Sequence, residues 1–146
     1  MNLENRVLQT SKTDLSLNGI RVLVVDNDAD TRLLYTIILE EYGAEVLAVG
    51  SAKNALLAVE QLKPHLLISD IYLPGEDGYS LIYKIRSLDP VQGGHIPAIA
   101  VTGLYKDLCD LNPTFAKFQL HFTKPIDLKE LVTAAVSLTK PERIPQ

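Results

Sequence analysis

Five short apolar runs recur along the chain, at residues 20–25, 45–49, 65–70, 96–102 and 120–123. Most lack a strict polar–apolar alternation, the pattern of strands covered on both faces. Between them the apolar positions switch to helical spacing. The first such stretch carries Leu33, Leu34, Ile37, Ile38 and Tyr42, and the second Ala52, Ala55, Leu56, Val59 and Leu62. The third carries Leu81, Ile82, Ile85 and Leu88, and the last Leu128, Leu131, Val132, Ala135, Val136 and Leu138. Asp28 or Asp30, Ser51 and Asp127 stand where N-caps belong. Gly43, Pro64 and the Asp89-Pro90 pair stand where helices stop. The stretch from Gly103 to Gln119 is poorest in pattern; Tyr105, Leu108, Leu111 and Phe115 suggest a helix that Pro113 interrupts, so a short or broken one is expected.

Strands alternating with helices predict a parallel sheet covered on both faces. Right-handed crossovers favour a flavodoxin-like, doubly wound α/β fold with strand order 2-1-3-4-5. One domain is expected over residues 20–139. A flexible leader is expected over 1–19, with at most a short ordered turn at Leu15-Ser16-Leu17, and a loose tail over 140–146.

Composition narrows the function. A chain of 146 residues with 14 basic and 18 acidic groups carries a net charge of −4, which offers no basic field for nucleic acid. No apolar run approaches the roughly 20 residues that span a bilayer, and the polar N-terminus is unlike a signal peptide. The single cysteine, Cys109, excludes an internal disulfide and reads as filler rather than as a nucleophile. His65, His95 and His121 lack metal-ligand spacing. A cytoplasmic, soluble protein is expected.

Candidate chemistry lies at the strand ends. The run 66–69 stops on Asp70 and breaks into Pro74-Gly75 and Asp77-Gly78. The first run stops on Asp26-Asn27-Asp28, the fourth on Thr102 and the fifth on Lys124. In the order 2-1-3-4-5 these ends share one edge at the topological switch point. Clustered carboxylates suit a small hard cation such as Mg²⁺, and an aspartate beside it is a competent nucleophile toward phosphorus. Thr102 and Lys124 have the hydroxyl and ammonium that would stabilise a phosphoryl group, although a strand threonine and a loop lysine are also ordinary residues.

Leu23-Val24-Val25-Asp26, Ser69-Asp70 with Leu73-Pro74 and Asp77-Gly78, Val101-Thr102 and Lys124-Pro125 together resemble the receiver domain of bacterial response regulators, from about Ile20 to Leu138. The resemblance implies that Asp70 accepts phosphate from a sensor histidine kinase or phosphotransfer protein. It implies Mg²⁺ held by Asp26, position 27, Asp70 and the Tyr72 backbone carbonyl. Thr102 and Lys124 would bind the phosphoryl group, and Thr102 with His121 would form the switch. Tyr72 and Leu104 would flank the approach of hydrolytic water; neither offers an amide or carboxylate to orient it, and the Tyr72 hydroxyl reaches past the attacking position, so a long-lived phosphorylated form is expected. The expected output is contact with another, unidentified protein, with a homodimer left open.

Three departures qualify this reading. A second acid is usual at position 27, where this chain has Asn27, and Asp28 either compensates or caps the helix. The 103–119 stretch contains Pro113 and lacks the usual small residues. His121 stands where an aromatic switch is usual and is either that switch or a strand-edge histidine. Two rival functions follow: a degenerate receiver that only binds a partner, and a haloacid-dehalogenase-like phosphatase with Asp26 as nucleophile, for which nothing after Lys124 offers a strand closing on the acidic pair such enzymes need. A dinucleotide site lacks its glycine-rich turn.

Overall fold

The computed structural model describes residues 15–103 and 113–140. Five parallel strands, β1 (Arg21–Val25), β2 (Glu45–Val49), β3 (Leu66–Ser69), β4 (Ala98–Thr102) and β5 (Leu120–Thr123), form one sheet in the order β2-β1-β3-β4-β5. The helices are α1 (Ala29–Glu41), α2 (Ala52–Leu62), α3 (Gly78–Arg86) and α4 (Leu128–Thr139). The doubly wound flavodoxin-like fold is therefore as expected from the hydrophobic pattern.

Alternation along the central strands divides the core into two layers. Leu23, Val25 and Leu67 face Ala55, Val59, Leu81, Ile82 and Ile85 of α2 and α3. Val22, Val24, Ile68, Ile99 and Val101 face Tyr35 and Leu39 of α1 and Leu131, Val132 and Ala135 of α4. Each helix starts on a side chain that accepts an orphan backbone N–H. Asp28 accepts from Thr31, Ser51 from Asn54, Asp77 from Ser80, and Asp127 from Lys129 and Glu130.

The structure differs from the sequence expectations at four places. Leu17, assigned to the leader, is fully buried, and its N–H donates to the Tyr42 carbonyl at 2.7 Å. The ordered domain thus includes residues before Ile20, while residues 1–14 lie outside the described part. On α1 the buried residues are Tyr35 and Leu39, whereas Leu33, Leu34 and Ile37 are about half exposed or more. This helix is apolar around most of its circumference, so spacing alone did not select the face that meets the sheet. Helix α3 ends at Arg86, and Pro90–Gln92 forms a separate 3-10 turn because Pro90 has no N–H to continue a helix. Strand β4 begins at Ala98, after Pro97. Between Gly103 and Gln119, Pro113–Lys117 is a 3-10 turn; residues 104–112, with Leu104 and Cys109, lie outside the described part, as does the tail from Pro141.

Candidate functional site

One construction occurs three times at the carboxyl edge of the sheet: the backbone ladder runs one residue past the strand and delivers a charged side chain. The Asp26 N–H donates to Val49 O at 3.1 Å, the Asp70 N–H to Val25 O at 2.8 Å, and the Lys124 N–H to Thr102 O at 2.8 Å. Because β1 lies beside β3, with Val25 opposite Ser69, the two aspartates emerge as neighbours. The Lys124 ammonium joins them, donating to Asp26 Oδ2 at 2.7 Å and Asp70 Oδ2 at 2.8 Å. The second oxygen of each carboxylate accepts the amide two residues on. Asp28 N–H reaches Asp26 Oδ1 at 2.9 Å, and Tyr72 N–H reaches Asp70 Oδ1 at 2.9 Å. Lys124 precedes Pro125 through a cis peptide bond.

Burial makes this cluster expensive unless it is paired. Asp26 is 1% exposed, Asp70 6% and Thr102 3%. Two carboxylates against one ammonium leave a local charge of −1. Desolvation pulls the Lys124 pKa down, but its hydrogen bonds to Asp26 and Asp70 outweigh that and hold it above the usual lysine value. Burial pushes the nearby Tyr35 phenol up to about 12.

An open pocket of about 390 Å³ lies above the pair, lined by Asn27, Asp70, Tyr72, Leu73, Pro74, Gly103 and Lys124. Asp70 faces this pocket; Asp26 stands behind it, outside the lining. Asp28, the next acid after position 27, lies outside the lining of this pocket. Its carboxylate caps α1, and hydrogen bonds from the Thr31 hydroxyl and backbone N–H hold it below the usual aspartate value. Among the described residues no three His, Cys, Asp or Glu side chains converge for a metal. The donors that do converge are hard oxygens: two buried carboxylates with net negative charge and, at the pocket wall, the Asn27 side chain. That set fits a divalent cation such as Mg²⁺, with less charge than three acids would give.

The remaining expected residues fall as follows. Thr102 closes β4 beside Thr123 of β5. His121 is half-buried in β5, its ring edge-on to Phe118 with centroids 6.2 Å apart. Tyr72 is 71% exposed at the pocket rim. Leu104 lies outside the described residues.

Two glycines shape the site without having been picked out for it. A Cβ on Gly78 would lie 2.5 Å from Asp70 O and 2.8 Å from Ile71 Cα, and the Gly78 N–H donates to Ile71 O at 2.7 Å. Only a residue without a side chain lets α3 begin this close to the end of β3. The Asp77-Gly78 pair signalled a turn but not this contact. The other, Gly50, packs against Arg32, whose guanidinium donates to Asp26 O at 2.7 Å.

A parallel α/β sheet with two acids and a lysine gathered at its switch point is the architecture of a receiver-type signalling domain. The chain belongs to the response regulator receiver domain family, whose model matches residues 22–136. It is 40% identical over 117 residues to an uncharacterized 14.6 kDa protein of Leptolyngbya boryana, covering 80% of this chain and 88% of that one. A CheY-like response regulator receiver domain protein from Methanospirillum hungatei superposes with a TM-score of 0.73 at 27% identity, covering 81% and 91% of the two chains. The fold also matches the receiver domain of sensor histidine kinase PA1611 from Pseudomonas aeruginosa, solved with magnesium in its active-site cleft. The TM-score there is 0.76 at 24% identity, with 83% and 98% covered. Of the larger relatives it matches, the chain spans 8% of hybrid signal transduction histidine kinase D and 22% of the regulator NtrC. No helix among the described residues is long and apolar enough to cross a membrane.

Proposed function

We propose that this chain is a two-component response regulator in which Asp70 accepts a phosphoryl group from a histidine kinase or phosphotransfer protein of the cytoplasm. The observation that carries the reading is the Lys124 ammonium, held at 2.7 and 2.8 Å between two buried carboxylates of which only Asp70 lines the open pocket. An Asp70 oxygen forms the new P–O bond as the donor's P–N bond breaks, and the electron pair of that bond stays on the imidazole nitrogen. Lys124 and the Thr102 hydroxyl then hold the phosphoryl oxygens. Asp26, Asp70, the Asn27 side-chain oxygen and the Tyr72 carbonyl would hold Mg²⁺, which supplies positive charge to those oxygens when bound. Thr102 and His121 carry the change to the surface, where a downstream protein reads it; the domain is a phosphoacceptor and turns over no other substrate.

Leu33, Leu34 and Ile37 support the donor side of this reading. They form an exposed apolar face on α1, the helix that starts at the Asp26–Asp28 turn, suited to an apolar helical partner. Tyr72 at the rim and Leu104, which follows β4 in sequence, offer neither an amide nor a carboxylate to orient attacking water, which favours slow hydrolysis.

The test is incubation with a small phosphodonor and Mg²⁺, followed by mass-spectrometric mapping. Label on Asp70 that disappears in Asp70→Asn is the expected result. Label on Asp26 revives the phosphatase reading, and none on a folded, Mg²⁺-binding protein points to a degenerate receiver.

A further inference from the structure

Arg32 touches Asp26 but has no part in the phosphate chemistry proposed above. It lies on the first turn of α1, its N–H donating to Asp28 O at 3.0 Å, and its side chain folds back across that turn. There Nη1 donates to the backbone carbonyl of Asp26 at 2.7 Å. The bond gives a partner to the remaining polar atom of Asp26. Its N–H is taken by Val49 O, its Oδ1 by the Asp28 amide and its Oδ2 by Lys124.

Gly50 gives an independent sign that the guanidinium has an assigned position. Its φ is not in the positive region that favours glycine, so backbone conformation does not demand one there. Space does. A Cβ at position 50 would lie 3.1 Å from Arg32 Nη1 and 3.9 Å from Asp26 O, tighter against the guanidinium than nearly all real contacts. The loop after β2 therefore keeps a bare backbone where Arg32 meets the Asp26 carbonyl.

We propose that Arg32, seated against Gly50, is a positioning residue of the acidic pocket: it fixes the Asp26–Asp28 turn through the Asp26 carbonyl and so holds the Asp26 carboxylate for a divalent cation. Its charge differs in kind from that of Lys124. The ammonium sits on the carboxylate oxygens themselves, which a cation must share or take over. The guanidinium sits on the backbone side and offsets the negative charge of Asp26 and Asp28 while leaving those oxygens open. With an amide at position 27, more of the cation's hold falls on Asp26, and its orientation matters correspondingly more. The metal part of this inference rests on the proposed function; the positioning of the turn does not.

The test begins without metal. In Arg32→Met, amide exchange at Asp28, whose N–H bonds Asp26 Oδ1, is expected to speed up about 10-fold, while Ile68 and Ile99 in the central strands keep their protection. Gly50→Ala, which keeps the charge and crowds the guanidinium, should move Asp28 in the same direction by a smaller factor. Arg32→Lys should recover part of the loss. Mg²⁺ titration followed by amide shifts at Asn27 and Asp28 should then show affinity about 5-fold to 10-fold weaker in Arg32→Met. Unchanged Asp28 exchange in both Arg32→Met and Gly50→Ala overturns the inference, as does equal or tighter Mg²⁺ binding. A parent that never takes phosphate on Asp70, with the exchange pattern as expected, defeats the proposed function and leaves the role of Arg32 standing.

Discussion

β1 and β3 run side by side and carry polar groups at both ends, yet the ends are built in opposite ways. At the amino ends, polar side chains serve the backbone. Arg21 N–H donates to His65 Nδ1 at 2.9 Å, and the Arg21 guanidinium donates to Leu62 O and Lys63 O at the close of α2. Those carbonyls have no helical partner of their own, and the arrangement completes them. At the carboxyl ends, charges are set against charges: Asp26 and Asp70 are buried, and Lys124 is shared between them. Each carboxylate also accepts one backbone amide, but a neutral side-chain oxygen would serve that bond, so the backbone does not call for two buried charges there. The difference separates structural polarity, which satisfies groups the fold leaves open, from polarity that the fold must itself stabilise and that therefore points to chemistry.

The same substitution at each end gives the sharpest contrast. Lys124→Met leaves two buried carboxylates facing each other. Breaking a fully buried pair costs about 3 kcal/mol or more; the Lys124 side chain is 27% exposed, so water shares the load and about 2 kcal/mol is expected. Phosphate acceptance should be lost along with it. Mg²⁺ replaces the missing positive charge, so thermal melting should show Mg²⁺ stabilising Lys124→Met more than the parent. An equal Mg²⁺ response in the two proteins would mean that the cation binds elsewhere.

Arg21→Met at the other end removes two hydrogen bonds to partly solvated carbonyls. Denaturant unfolding should report a loss of about 1 kcal/mol. Mg²⁺ response and phosphate acceptance should match the parent. Any change in either would show that the two ends are coupled through β1 and undo the division drawn between them.

The carboxyl end was the more legible in the sequence. Two apolar runs that stop on an acid, with a lysine ending the fifth, are visible as letters, and strand order follows from the alternation of elements. The Ser51 and Asp127 caps were legible for the same reason, since capping is local. What escaped depends on contacts that are distant or on main chain. Leu17 is one leucine in a polar stretch, yet it is buried in the layer that holds Leu39, Leu131 and Val132. Arg32 bonds a carbonyl, a partner that every residue possesses and no motif marks. Gly78 is required, and Gly50 favoured, by what lies against it rather than by its own dihedral angles. The apolar residues of α1 were visible, but their distribution around the helix left its sheet-facing side open.

The smallest expected effect is the pH response of the amino end. His65 Nδ1 accepts the Arg21 N–H, and an imidazolium cannot accept. Burial, and then the neighbouring Arg21 charge, lower the His65 pKa below the usual 6.5; Glu45 opposes them weakly. A lowered folded-state pKa means that the unfolded chain takes up the proton first as pH falls. The stabilising contribution is thus complete above about 6.5 and is lost as pH falls through the folded-state value. His65 lies at the surface, so the effect is a slight fall in melting temperature below that pH. His65→Gln, which has no such titration, should flatten this part of the profile. Lys124 at the carboxyl end adds no step there, since hydrogen bonds hold it above the usual lysine range and hence charged throughout. Parent and His65→Gln melting curves that fall in parallel between about pH 7 and 5 would assign the response to another group and remove the histidine from the account of this end.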